Sequence, residues 1–92
     1  MEDRAIIELF WQRDEAAIRE SERKYGSYCR SIAGNILSVP EDREECLSDT
    51  WLKAWNSIPP QRPNVLRIYL GRITRSLALD RVRAKMSKKR GS

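Results

Sequence analysis

Arginine is the residue whose placement most constrains the chemistry of this chain. Arg67, Arg72, Arg75, Arg81 and Arg83 all fall within one segment near the C-terminus. On a helix turning about 100° per residue, Arg72 and Arg83 project from nearly the same angle, with Ser76 between them. Arg67, Arg75 and Arg81 spread over the rest of that surface. A guanidinium presents paired planar donors that match phosphate oxygens or the edge of a guanine. The stripe therefore suits a polyanion, although a merely solvated basic helix would carry the same residues. An anionic membrane surface is a third reading. It is disfavoured because the apolar stripe of the same helix is needed for the core. Asp80, at the margin of that stripe, suits a pairing with a nearby arginine better than a contact to phosphate.

A second constellation has the opposite sign. Asp42, Glu45 and Asp49 lie within about 60° of each other on a helical wheel, opposite Leu47 and Trp51. Leu52 sits beside them, an apolar side chain on a polar face. Such a strip is either an ordinary solvated acidic face or a docking surface, with Leu52 as apolar anchor and the carboxylates meeting basic groups.

These two sets divide the molecule. Residues 1–50 hold 7 basic and 12 acidic residues, and residues 51–92 hold 11 basic and 1 acidic. The net charge of +5 thus conceals two surfaces suited to two partners. Catalysis is poorly provided for. The sequence has no His, no phosphate-cradling glycine loop and no nucleophile elbow, so it reads as a non-enzyme without cofactors. Cys29 and Cys46 are too few for a disulfide scaffold and lack metal-ligand spacing. No metal site is expected. No stretch reads as a signal segment or membrane span, and free thiols suit a reducing cytoplasm.

The elements that must position these residues are all helical, since nothing alternates with period two. A first helix spans about residues 3–12, with Ile6, Ile7, Phe10 and Trp11 on one face. Asp14 stands at the N-cap of a second, which runs to about Leu37 with Ile18, Tyr25, Cys29, Ile32 and Ile36 inward. Pro40 and the acids after it open a third helix, reaching about Ser57 with Leu47, Trp51, Ala54, Trp55 and Ile58 as its stripe. Pro59, Pro60 and Pro63 make residues 58–63 a stiff loop. A fourth helix starts near Asn64 and passes Arg83, burying Leu66, Leu70, Ile73 and Leu77 with Tyr69 at the edge. The expected fold is an all-α compact bundle of about four helices over residues 1–85. Residues 86–92, with Lys88, Lys89 and Arg90, read as a basic, disordered tail.

The run from Glu41 to Arg83 resembles region 2 of the sigma-70 family of RNA polymerase sigma factors, especially the extracytoplasmic-function type. EDREECLSDTWLKAW, residues 41–55, is similar to the family's polymerase-docking helix. IYLGRITRSLALDRVRAK, residues 68–85, looks like its DNA-facing helix, with a Leu-Ala-x-Asp-x-x-Arg finish. YGSYCRSIAGNIL, residues 25–37, resembles the Tyr-rich second helix more weakly. Ser48 and Asp49 depart from the family's usual Gln-Glu pair, which bears on docking geometry.

The resemblance implies a role for each surface. Asp42, Glu45, Asp49 and Leu52 would bind the β′ clamp helices of the polymerase core. The loop before the last helix would capture a base flipped from the non-template strand of the promoter minus-ten element. The positions corresponding to that capture are Gln61, Arg62 and Asn64. Arg72, Arg75, Ser76 and Arg83 would contact the duplex just upstream. Flipping costs a few kcal/mol, and a proline-framed pocket recovers it with little ordering entropy. The loop has no aromatic to stack on, Tyr69 being the nearest. The domain should therefore melt DNA less readily than housekeeping sigma factors and demand a closer sequence match. An inhibitory anti-sigma factor is a further partner the family implies. The family's second domain, which reads the minus-thirty-five element, is absent: the chain is a fragment or works differently. Two other readings stand beside this one. A free-standing helix-turn-helix duplex binder would need a short turn where residues 58–63 hold three prolines. A protein-interaction module with a solubilising basic end is the other.

Overall fold

The computed structural model describes the backbone of residues 1–91 and the side chains of residues 1–87. The chain folds as four helices, α1 (Asp3–Trp11), α2 (Ala16–Ile36), α3 (Pro40–Ser57) and α4 (Leu66–Gly91). No strand occurs among the described residues. The all-α bundle read from the sequence is the fold observed, with boundaries displaced by a residue or two.

Each boundary has a local cause. Asp14 Oδ1 accepts the Ala16 N–H at 2.9 Å and so satisfies a free donor at the start of α2. The end of α1 is closed by Arg13 N–H to Phe10 O (3.0 Å) and Asp14 N–H to Leu9 O (2.9 Å). That is a Schellman pattern, which places Arg13 in the left-handed region at φ 56°. Glycine would adopt this backbone at less cost. Arg13 is held there by its own side chain, which donates to Trp55 O (2.8 Å) and Ile58 O (3.1 Å) at the end of α3. It also lies 3.8 Å from the centre of a Trp55 ring. Pro40 begins α3, followed by Glu41 and Asp42 in its first turn. Arg43 turns back to donate to Leu37 O (2.8 Å) and Ser38 O (3.1 Å), capping the end of α2.

The core is layered by residue size. Along α2 the buried residues are Ala17, Ser21, Cys29 and Ala33. The larger Ile18, Tyr25, Ile32 and Ile36 are only partly buried beside them. Small side chains on this line let the neighbouring helices approach closely. Gly71 on α4 does the same from the other side, since a Cβ there would stand 2.9 Å from the Tyr28 hydroxyl oxygen. Phe10, Ile6, Ile58, Leu66 and Leu70 fill the centre.

Between α3 and α4 the seam is polar but satisfied. Thr50 and Thr74 are fully buried and lie 3.1 Å apart through their hydroxyls. Each is also placed to donate to its own helix, Thr50 to Cys46 O and Thr74 to Leu70 O. Two protons serve three such links, so at most two are made at once. Cys29 and Cys46 are buried free thiols, and burial pushes both up in pKa. At the base of α1, burial would raise the Asp3 carboxyl, but hydrogen bonds from Lys24 (2.8 Å) and Tyr25 (2.7 Å) outweigh it and hold it low.

α4 runs through Gly91 and so takes in residues 86–91 of the expected basic stretch. Met86 and Ser87 lie within α4 and are exposed. The side chains of Lys88, Lys89 and Arg90, and all of Ser92, lie outside the described residues.

Candidate functional site

α4 carries two rows of cations on different sides. Ile68, Arg72, Arg75, Ser76 and Arg83 fall within about 100° of one another, and all five are exposed. Arg72 and Arg75 make no ion pair among the described residues, whereas Arg83 pairs with Asp80 at 3.3 Å, as the sequence suggested for Asp80. Arg81 points the other way. It reaches Glu45 at 2.8 Å, Asp49 at 3.2 Å and Asp42 at 3.9 Å, while Lys85 closes on Asp42. Burial disfavours charge on Arg81, but hydrogen bonds to Glu45 and Asp49 outweigh this and raise its pKa.

The acidic strip read from α3 is therefore real as a face but already compensated. Asp42, Glu45 and Asp49 share two cations from α4, and the Asp42 side chain is only 18% exposed. Leu52 stands clear of this network at 57% exposed. Nothing in the α3 sequence signals Arg81 and Lys85 as partners, since they lie 32 and 43 residues away from Asp49 and Asp42 respectively.

The proline loop sits between α3 and α4. Gln61 and Asn64 are exposed at its crest. Asn64 borders two recesses. One, of about 300 Å³, runs onto α4 along Pro63, Val65, Ile68, Tyr69 and Arg72. The other, of about 430 Å³, is shared with Asp3, Arg4 and Ile7 of α1 and with Arg62. Val65 and Ile68 are 48% and 46% exposed, an apolar pair off the core stripe of α4. A helical wheel distinguishes them from Leu66 and Leu70, so the spacing alone carries this signal. Tyr69 is fixed by donating to Ser57 Oγ at 2.7 Å.

Arg62 does not project into either recess as a free group. Its guanidinium pairs with Glu8 at 2.7 Å and lies 4.3 Å from a Trp11 ring centre. The structure thus places Asn64 and Arg72 on one recess, with Arg75 and Ser76 exposed further along the same face of α4 and Gln61 exposed on the loop. It turns Arg62 toward α1 and ties Arg83 to Asp80. Among the described residues no cluster of acids and thiols could hold a metal. No helix is long and apolar enough to cross a membrane.

The family model for sigma-70 region 2 matches residues 23–88. The chain belongs to this family. No curated protein and no solved structure matches it. A sigma-70 region 2 domain is the part of a sigma factor that binds core RNA polymerase and acts in promoter melting, an initiation factor rather than an enzyme. The matched span takes in α3, the loop and almost all of α4. It begins within α2, so α1 lies outside it.

Proposed function

We propose that this chain is the promoter-opening domain of an extracytoplasmic-function type sigma factor, working in the cytoplasm. Asp42, Glu45, Asp49 and Leu52 on α3 dock on the β′ clamp helices. The loop captures one base of the non-template minus-ten strand between Gln61 and Asn64. Arg72, Arg75, Ser76 and Arg83 hold the backbone beside it.

The observation that carries this reading is the adjacency of three unlike features at the start of α4. Asn64, the exposed Val65–Ile68 pair and Arg72 line one recess, and Arg75 lies on the same face of α4, neither arginine having an ion pair among the described residues. A base leaving the stack needs an apolar surface for its faces, hydrogen-bonding groups for its edge and cations for its phosphates. Each is present within one turn or two of the loop. Arg62 belongs to the same crest and offers a half-exposed edge to a phosphate while paired with Glu8.

The docking face works by a different balance. Its carboxylates already interact with Arg81 and Lys85, so their attraction for a basic partner is partly spent within the chain. Leu52 then supplies the apolar anchor, and Glu45, at 63% exposed, the most accessible charge. An anti-sigma factor that covers Leu52 would compete directly with polymerase.

Salt dependence tests the DNA-facing row. Each phosphate neutralised should contribute about 0.7 to the slope of log affinity against log salt for a single strand. Arg72→Ala and Arg75→Ala should each lower that slope by roughly this amount, measured with the polymerase-bound chain and a single-stranded non-template oligonucleotide. Unchanged slopes in both variants would remove these arginines from the interface.

A further inference from the structure

The loop that carries Gln61 and Asn64 is anchored by the one helix outside the family match. Trp11 Nε1 donates to Gln61 O at 3.3 Å. Glu8 holds the Arg62 guanidinium at 2.7 Å, and the same guanidinium stacks over Trp11 at 4.3 Å. Just past the end of α1, Arg13 donates to Ile58 O at the loop's entry. These ties join residues 45 to 54 positions apart, so nothing local in the loop sequence supplies them. On the α3 side, the loop is tied by Gln61 N–H to Ser57 O and by Ile58, which is buried in the core.

We infer that α1 is the latch of the base-capture loop, with Glu8 and Trp11 as positioning residues that preset Gln61 and Asn64. This rests on the base-capture reading above. The latch lowers the ordering cost at the moment a base enters, because the loop is already held. It also gives Arg62 a second role, as a strut whose charge acts through α1. Glu8 and Trp11 touch no DNA in this arrangement. Their effect must therefore show in how well the loop discriminates a base, and in how firmly the free loop is held.

The test uses the full chain bound to core polymerase and a single-stranded non-template oligonucleotide from a promoter that it opens. Copies carry an abasic site at each minus-ten position in turn. The ratio of intact to abasic affinity at the most sensitive position reports base capture, and general electrostatic effects cancel in it. Glu8→Arg should lower this ratio about fivefold, as should Arg62→Glu, while polymerase affinity stays within about twofold. The exchanged pair, Glu8→Arg with Arg62→Glu, should restore the ratio to within about twofold. A direct base contact by Arg62 would not be restored by the exchange. Trp11→Phe keeps the ring under Arg62 but loses the N–H to Gln61. In this variant amide exchange at Gln61, whose N–H is held by Ser57 O, should quicken about fivefold without DNA. An unchanged ratio and unchanged exchange in these variants would overturn the latch, as would failure of the exchanged pair to recover. If the unmodified chain shows no preference for an intact base at any position, the base-capture reading fails. The amide exchange then still decides whether α1 holds the loop.

Discussion

Asp49→Arg combined with Leu52→Ala should weaken binding to core RNA polymerase by several hundredfold. Leu52 is 57% exposed on α3, so truncation spares the core and, if Leu52 docks as proposed, removes apolar surface from the interface. An interfacial anchor of this kind contributes about 2 kcal/mol. Reversing Asp49 adds a like-charge contact, both with a basic partner and with Arg81, which lies 3.2 Å from the native carboxylate. A further 1–2 kcal/mol is a reasonable cost for that reversal, taking the total to about 3–4 kcal/mol. The fold should survive, since Glu45 and Asp42 still hold Arg81. Equilibrium binding to core polymerase, with a thermal melt as control, measures this. Affinity within about threefold of the unmodified chain would place the docking surface elsewhere.

Phe10→Ala should cost about 3–5 kcal/mol of stability and lower the melting temperature by roughly 15–30 °C. Phe10 is fully buried, and its ring centre lies 6.4 Å from that of Trp55 on α3. It is the largest fully buried side chain of α1, and the cavity left cannot close without moving α1. Because α1 carries Glu8 and Trp11 and is followed at once by Arg13, partial loosening should also release the loop. Phe10→Leu conserves most of the volume and should cost under about 1.5 kcal/mol. Circular dichroism melts of both variants check the difference. A loss under about 5 °C for Phe10→Ala would mean that α1 contributes little to the folded state.

Much of the fold was legible in the sequence because it rests on local signals. Prolines at 40, 59, 60 and 63 mark the breaks around α3, and Asp14 marks the start of α2. Apolar periodicity placed Leu66, Leu70 and Ile73 correctly inside. It underrated Ala33, Thr50, Thr74 and Ala78, because small and β-hydroxyl residues carry little hydrophobic signal yet fit where helices touch. The candidate site was legible only where one helix contains it. The shared face of Asp42, Glu45 and Asp49 follows from spacing alone. That Arg81 and Lys85 lie across it does not, since the pairing depends on how α3 and α4 cross. The same holds for Arg62, which the sequence presents as a free loop cation and the fold turns onto Glu8 and Trp11. Charge in the sequence indicated two surfaces. Tertiary contacts decide which of those charges are available to a partner.

On the proposed function, the chain is held on polymerase by α3 and engages an opened strand through the loop and α4. The most direct measurement compares affinities of the polymerase-bound chain for a non-template minus-ten oligonucleotide as a single strand and as a duplex. The single strand should bind at least about tenfold more tightly, because only it can yield a base without breaking pairs. Equal binding, or a preference for the duplex, would contradict it and favour a helix-turn-helix reader of closed DNA.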